Sequence, residues 1–268
     1  MKSVIKKITK KIGVYDNIRW SKSYLFLYSI INFKYNKIRR NEAIFFRELI
    51  PRNCLCFDIG ANIGSKTYIL LKMKCKVICV EPVKRNTYIL QRRYKGNNNV
   101  VIISGSVSDH IGHEEVFVTE ENLAFSTFSR KWLNIIKNHD INRWGMSIKS
   151  SFTDIVETRT LDSLIEKFGL PYYIKIDVEG YEVKVIKGLT KKIPLISFEA
   201  NLPEFLEETK LCVSYLSSID IDAKFNYISD TFCFENETWL NHRDFNSFLD
   251  NQKLRYMEIF CKMRGSMR

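Results

Sequence analysis

Carboxylates and glycines follow two apolar segments of this chain. Residues 56–64 read Cys-Phe-Asp-Ile-Gly-Ala-Asn-Ile-Gly, and residues 173–182 read Tyr-Ile-Lys-Ile-Asp-Val-Glu-Gly-Tyr-Glu. Strands of an open α/β sheet deliver polar groups in this way to the crevice at their carboxyl ends. We therefore predict that the two segments form two sides of one pocket.

The first segment suits an adenosine-containing cofactor. Gly60 permits a tight turn and a close approach of backbone to ligand, whereas Gly64 lets the following helix pack near the strand. Glu81 directly follows the next predicted strand, where a carboxylate can accept hydrogen bonds from both hydroxyls of a ribose. A glycine turn paired with such an acid predicts a ribose-bearing ligand.

Two other phosphate-bearing ligands fit the same segment less well. Dinucleotide enzymes use G-x-G-x-x-G to place a pyrophosphate on a helix N-terminus, and here Asn62 stands at the middle glycine. Residues 60–67 read G-A-N-I-G-S-K-T, which is one residue out of register with the P-loop pattern G-x-x-x-x-G-K-(S/T). NAD and nucleoside triphosphates are therefore disfavoured.

Several short motifs, in the same order along the chain, resemble those of FkbM-family methyltransferases. They are residues 58–64 (D-(I/V)-G-A-N-(I/V)-G), 81–82 (E-P), 108–109, 160–162 (T-L-D), 175–182 (K-I-D-V-E-G-x-E), 187–188 (K-G) and 198–199. The resemblance extends from about residue 57 to residue 199. Residues 1–40 lie outside it, and residues 202–268 agree only in general shape.

This resemblance implies an S-adenosylmethionine-dependent methyltransferase. Asp58 would orient the ammonium side of the methionine moiety, and Glu81 would hold the ribose. Asp109 would lie near the adenine, although an Asx turn at residues 108–110 explains this residue equally well. The cofactor-binding residues predicted are Asp58, Gly60, Asn62, Gly64, Glu81 and Asp109.

Four carboxylates in and after the second segment are candidates for the reactive edge. Methyl transfer to a hydroxyl needs alignment of the acceptor and a base within hydrogen-bond reach. Asp177 and Glu199 end successive predicted strands and should face one crevice, whereas Glu182 is expected to cap or pair on the next helix. We predict Asp177, Glu179 and Glu199 as catalytic residues and assign no dedicated metal ligands. Two alternatives stay open: these carboxylates only orient Lys175 or cap a helix, or they hold Mg²⁺.

The acceptor is expected to be an oxygen. Enzymes that methylate amide or base nitrogens commonly carry an N-P-P-(Y/F) turn after the fourth strand, where this chain has Asp-Val-Glu-Gly at residues 177–180. Together with the resemblance, this predicts methylation of a sugar hydroxyl in a bacterial surface glycan or glycolipid precursor. The alternatives are a secondary-metabolite hydroxyl, or a non-catalytic adaptor of the same fold that binds a membrane or RNA.

Strands and helices alternate from residue 55 onwards, and this order positions the motifs. It predicts an α/β, Rossmann-like class I methyltransferase fold with a mostly parallel seven-stranded sheet and helices on both faces. The predicted organisation is a basic helical extension over residues 1–40 and a methyltransferase domain over residues 41–268. A polar, aromatic insertion at about residues 114–160 is a candidate acceptor-binding lid.

The net charge of +12 is concentrated at the N-terminus. Residues 1–40 hold eleven of the 42 Lys and Arg residues and one of the 30 acidic residues, so the remainder is nearly neutral. A nucleic-acid partner is disfavoured because the predicted domain has no basic stripe. Apolar residues at 4, 5, 8 and 12 predict a short amphipathic helix that either contacts an anionic membrane or packs on the domain.

Cysteine usage and hydropathy predict the compartment. The seven cysteines are odd in number and form no paired C-x-x-C zinc spacing, so we interpret most of them as reduced core side chains. The longest N-terminal apolar run, residues 24–33, is shorter than the roughly 20 residues of a membrane span. The prediction is a cytoplasmic enzyme, with the inner face of the membrane as an alternative location.

Overall fold

The computed structural model describes residues 33–119, 123–137, 151–229 and 231–264, with side chains from residue 37 onwards. The predicted amphipathic helix at residues 4–12 lies outside these ranges, as do residues 138–150 of the predicted lid. No described helix combines the length and hydropathy that a membrane span requires.

The described strands and helices alternate through most of the chain. The strands are β1 (Leu55–Ile59), β2 (Lys76–Glu81), β3 (Val100–Ser104), β4 (Ser106–Val107), β5 (Gly112–Thr119), β6 (Ser151–Arg159), β7 (Tyr173–Ile176), β8 (Leu195–Asn201), β9 (Lys224–Ile228) and β10 (Tyr256–Lys262). The α-helices are α1 (Phe33–Leu49), α2 (Ser65–Lys72), α3 (Lys84–Arg93), α4 (Arg130–Lys137), α5 (Leu161–Phe168), α6 (Glu182–Lys187), α7 (Leu206–Ile219) and α8 (His242–Asp250).

The main sheet has the strand order β3-β2-β1-β7-β8-β10-β9. Its neighbours are parallel except at β10, which runs antiparallel to β8 and β9. The strand order reverses between β1 and β7, so the carboxyl ends of these strands open a crevice for a ligand. A mostly parallel seven-stranded sheet was predicted, and the structure confirms it.

Alternating side chains along the strands divide the core into two layers. Cys56 of β1 faces the layer that α1, α2 and α3 cover, whereas Phe57 and Ile59 face the layer that α5 to α8 cover. Helices therefore cover both faces of the sheet, as predicted. Full burial of the central strands explains why they read as nearly continuous apolar runs.

The strands of the polar insertion, β5 and β6, form a second, three-stranded sheet together with β4, which precedes the insertion. Its strand order is β4-β6-β5. Helix α4 follows β5 and buries Trp132, Leu133 and Ile136 on one face. The ring of Trp132 packs edge-on against Phe205 at 5.8 Å, which fastens the insertion to the start of α7. The sequence interpretation gave this region no regular elements, because its apolar residues are interspersed with Ser, Thr and Asn.

Three helices outside the insertion differ from the sequence prediction, and one of them, α5, was not predicted at all. Helix α1 crosses the predicted domain boundary at residue 40, since its basic residues are good helix formers and do not end the helix. Helix α8 was not predicted either. It begins at Asn241, whose side chain caps the N–H of Asp244, and it buries Phe245 and Leu249.

Candidate active site

A cavity of about 530 Å³ lies at the carboxyl ends of β1, β2 and β7. Glu81 lies on one wall, and Asp177 and Glu179 lie on another. The remaining lining combines glycine turns, small polar residues and apolar side chains: Ile59, Gly60, Asn62, Val80, Pro82, Val83, Asn86, Gly105, Ser106, Val107, Ala124, Ser126, Phe128 and Val178. The mixture of apolar walls with a few polar groups suits a small-molecule ligand.

Gly60 lets the first and second predicted segments meet. Its backbone has φ +73°, and a Cβ atom there would lie 1.8 Å from the carbonyl oxygen of Asp177. Its N–H donates to the carbonyl of Val80 at 3.0 Å. The turn after β1 is therefore packed against the ends of both neighbouring strands, and only glycine fits.

Lys175 connects two of the predicted acids beneath the cavity. Its Nζ atom lies 2.9 Å from Asp177 Oδ2 and 3.7 Å from Asp58 Oδ1, and it donates to the Gly60 carbonyl at 2.9 Å. Burial opposes the charged form, but Asp177 and Asp58 raise the pKa of Lys175 above its ordinary value. One buried cation thus fixes the glycine turn and partly neutralises two carboxylates.

Asp58 is fully buried and does not line the cavity. Its Oδ2 atom accepts a hydrogen bond from the Thr67 hydroxyl at 2.5 Å, while Oδ1 has no hydrogen-bond donor among the described residues. The side chain alternates with Phe57 and Ile59, so it points to the α2 side of the sheet. Its predicted contact with the methionine moiety stays a prediction.

Glu81 is buried in the protein and lines the cavity. Oε2 accepts from the N–H of Asn62 at 2.8 Å, and Oε1 accepts from the N–H of Val83 at 3.0 Å. The Asn86 amide donates a further, longer bond of 3.3 Å. A carboxylate offers about four lone-pair sites, so acceptor capacity is left for a ribose hydroxyl. Burial raises the pKa of Glu81 to about 7 although these donors oppose the shift.

Asp177, Glu179 and Glu199 converge, as their positions at adjoining strand ends predict. Each contributes a carboxylate oxygen to a group in which all three atoms lie within 4.8 Å of one another. Burial and then the neighbouring carboxylates raise the pKa values of Glu179 and Glu199 well above the ordinary range. Asn201 donates to Glu199 at 3.1 Å. Such a group can accept a proton or hold a divalent cation.

The polar insertion helps to hold Glu179 in place. The Thr127 hydroxyl donates to the Glu179 carbonyl at 2.6 Å, and the Glu179 backbone has φ +55°. This backbone region is uncommon for a residue with a side chain, and such residues cluster at functional sites. Ala124, Ser126 and Phe128 come from the same segment and line the cavity. The sequence predicted an insertion at about residues 114–160 but not the contact of Thr127.

Three other predicted residues take positions away from the cavity wall. Asp109 binds Lys184 at 2.8 Å and His110 at 2.9 Å, and the hydrogen bonds from His110 and Lys184 lower its pKa to about 2. Gly64 packs under Leu90 and Tyr94, so it serves helix packing. Glu199 lines a neighbouring cavity of about 290 Å³. Its carboxylate also belongs to the group with Asp177 and Glu179, which line the first cavity.

Glu182 caps the loop that carries Glu179. Its Oε1 atom accepts from the N–H groups of Val178 at 3.1 Å and Gly180 at 3.3 Å. This contact agrees with the predicted capping role. The loop after β7 is therefore fixed from two sides, by Glu182 from within and by Thr127 from the insertion.

Comparison with known proteins identifies the family. The profile of the methyltransferase FkbM domain matches residues 58–240, which include every predicted site residue. Among curated protein sequences, none matches the chain significantly.

Solved methyltransferase structures are similar to the chain at low identity. Precorrin-6y C5,15-methyltransferase from Geobacter metallireducens is 10% identical, with a TM-score of 0.44 over 85% of this chain and 88% of that one. A TehB-like SAM-dependent methyltransferase from Corynebacterium glutamicum is 8% identical, with a TM-score of 0.43 over 84% and 88%. Fibrillarin from Aeropyrum pernix, solved with natively bound S-adenosyl-L-methionine, is 8% identical, with a TM-score of 0.41 over 82% and 72%.

The family match agrees with the site as built from its residues. A glycine turn after β1 and a buried carboxylate beside a cavity with apolar walls fit S-adenosylmethionine. The chain belongs to the FkbM methyltransferase family and is an S-adenosylmethionine-dependent methyltransferase.

Proposed function

We propose that this enzyme methylates a hydroxyl group of a sugar in a bacterial surface glycan or glycolipid precursor. The observation that carries an oxygen acceptor is the Asp177, Glu179 and Glu199 group beside the cavity. A hydroxyl must lose its proton as it attacks a methyl group, and a carboxylate of raised pKa is a suitable base near neutral pH. The sugar as acceptor rests on the resemblance to the family.

The three carboxylates have different surroundings, which separates their roles. Asp177 is paired with Lys175, so it helps to fix the turn after β1 and supplies negative charge. Glu179 forms no ion pair with the described residues; burial, and after it the charge of Glu199, raise its pKa. We assign Glu179, coupled to Glu199, as the proton acceptor, and Asp177 as an orienting residue.

The cofactor would lie between Glu81 and the turn at Gly60 and Asn62, with its reactive end towards Glu179. S-adenosylmethionine supplies an electrophilic methyl group on a sulfonium. The chain would align an acceptor hydroxyl with that methyl group, and Glu179 would take the hydroxyl proton. Phe128 and the segment from Ala124 lie over the cavity and would exclude water there.

Incubation with labelled cofactor and lipid-linked or nucleotide-linked sugars tests the acceptor. A mass increase of one methyl substitution on a sugar hydroxyl is the expected result. Methylation of secondary-metabolite hydroxyls alone would favour the alternative acceptor class. Binding of the cofactor without turnover on any acceptor would favour the non-catalytic adaptor.

The role of Glu179 is tested by Glu179→Gln. We expect kcat to fall at least about a hundredfold with nearly unchanged affinity for S-adenosylhomocysteine, because the base is lost and the donor contacts remain. Exposed Glu207→Gln is the matched control and should keep full activity. Collapse of donor affinity in Glu179→Gln would show that this residue binds the donor instead. Loss of wild-type turnover in EDTA, restored by Mg²⁺, would assign the carboxylates to a cation.

A further inference from the structure

Three cysteine thiols meet at the amino-terminal end of the main sheet. Cys54 precedes β1, Cys56 lies within it, and Cys75 directly precedes β2. The Sγ atom of Cys54 lies 3.6 Å from that of Cys56 and 3.6 Å from that of Cys75, and all three sulfurs lie within 4.8 Å of one another. The cofactor cavity lies at the opposite, carboxyl end of these strands.

Strand register explains the convergence. Leu55 is paired with Lys76 in the parallel ladder of β1 and β2, so the preceding residues, Cys54 and Cys75, are direct neighbours. Cys56 follows Cys54 by two residues and therefore points to the same face of the sheet. The sequence interpretation treated these thiols as separate core side chains because the pairing of the strands was not yet known.

The spacing of the sulfurs suits a thiophilic metal ion. In a tetrahedral site with Zn–S bonds of about 2.3 Å, two sulfurs lie about 3.8 Å apart, close to the distances in this cluster. Cys56 and Cys75 are buried, whereas Cys54 is partly exposed. Three sulfurs can therefore hold an ion while the side next to Cys54 stays open for a fourth ligand from solvent.

The thiolate is the form that binds metals. Exposed basic residues adjoin the cysteines in sequence and offset the negative charge of a thiolate site: Arg52, Lys74 and Lys76.

We propose that Cys54, Cys56 and Cys75 form a three-thiolate binding site for a thiophilic divalent cation of the Zn²⁺ class. The ion crosslinks the starts of β1 and β2 and stabilises the sheet from the end opposite the catalytic cavity. The site is independent of the reaction proposed above.

Titration of the reduced, full-length protein tests the site. Calorimetry with Zn²⁺ and ultraviolet absorption of thiolate-bound Cd²⁺ should both show one ion per chain. Bound Zn²⁺ should also raise Tm, because a ligand that binds only the folded state stabilises it. Absence of a thiolate absorption band, or of any saturable binding, would overturn the proposal.

Variants assign the ligands. Cys54→Ser should weaken Zn²⁺ binding at least tenfold while the far-ultraviolet circular dichroism and S-adenosylhomocysteine affinity stay unchanged. Cys233→Ser, at an exposed cysteine outside the cluster, is the matched control and should bind like the wild type. Undiminished binding in Cys54→Ser, or its loss in Cys233→Ser, would refute the assignment. A disulfide between Cys54 and Cys75 that survives reductant in the purified protein would also refute it.

Discussion

Glu81 combines burial with a strong set of hydrogen-bond donors at the wall of the cavity. Its carboxylate faces the N–H groups of Asn62 and Val83, and only 4% of the residue is exposed. Burial nevertheless dominates and raises its pKa from 4.5 to about 7. Burial therefore holds the pKa of this acid close to neutral pH, which links protein stability to pH.

The pH dependence of unfolding tests this balance. The folded pKa of Glu81 is above the unfolded value, so the folded state binds the proton more tightly. Its contribution to stability is complete below about pH 4.5 and is lost as pH rises through about 7, by at most roughly 3 kcal/mol. In Glu81→Gln, the free energy of unfolding measured by urea titration should fall less steeply than in the wild type between pH 4.5 and about pH 7.

The control for that experiment is Glu207→Gln, whose side chain is 80% exposed. It should keep the wild-type slope of stability against pH. An unchanged slope in Glu81→Gln would mean that this carboxyl does not titrate in that range. Glu182, with a pKa raised by burial to about 7, would then be the next candidate.

At the scale of elements, the site depends on how closely the turn after β1 approaches the end of β7. Gly60 occupies the narrowest point, where a Cβ would lie 1.8 Å from the Asp177 carbonyl oxygen. Lys175 and Thr127 then fix the two loops from opposite sides. The turn after β1 and the loop after β7 are thus held in place by the strands and by the insertion.

Comparison of Gly60→Ala with Gly96→Ala separates the stability cost of this close approach from the cost of backbone strain. Both glycines have positive φ, at 73° and 77°, but a Cβ on Gly96 meets nothing within 4 Å. Gly96→Ala should cost about 1–2 kcal/mol for the left-handed backbone alone. Gly60→Ala should cost at least about 2 kcal/mol more, measured by urea unfolding, and should weaken S-adenosylhomocysteine binding. Equal costs would contradict the close packing of the two loops.

At the scale of the whole molecule, α1 attaches the N-terminal side to the methyltransferase domain. Phe45, Phe46 and Ile50, at its end, are buried in the core, and Glu42 binds Lys66 of α2 at 2.8 Å. These contacts come from residues after position 40, and the predicted domain boundary at residue 40 stays a prediction. Contact of the basic residues before α1 with an anionic membrane stays a prediction.

Deletion of residues 1–32 tests that prediction. The shortened protein keeps α1 and should retain S-adenosylhomocysteine affinity and the wild-type Tm. If the basic segment contacts lipid, co-sedimentation with phosphatidylserine vesicles should be lost in the deletion. Neutral phosphatidylcholine vesicles are the control and should not bind either protein. Undiminished binding to anionic vesicles after the deletion would exclude this segment as the lipid contact.

The sequence alone determined the α/β class, the methyltransferase family and its cofactor, because these depend on local patterns. Apolar runs that end in Asp58, Glu81 and Asp177 identify the strand ends, and glycine after β1 identifies the turn. The parallel alternation of strands and helices then places those ends at one edge of a sheet. Helix α8 was missed because only three of its nine residues are apolar, although Asn241 before it is a favourable N-cap.

Only the tertiary structure decided which polar groups meet. Asp109 forms an ion pair with Lys184 and does not line the cavity. The Thr127 hydroxyl donates to the carbonyl of Glu179, and Cys75 lies next to Cys54. Each of these contacts joins residues from separate elements, so it depends on strand register and helix packing that single-sequence patterns do not specify. Burial, which sets the protonation of Glu81 and Glu179, likewise exists only once the chain has folded.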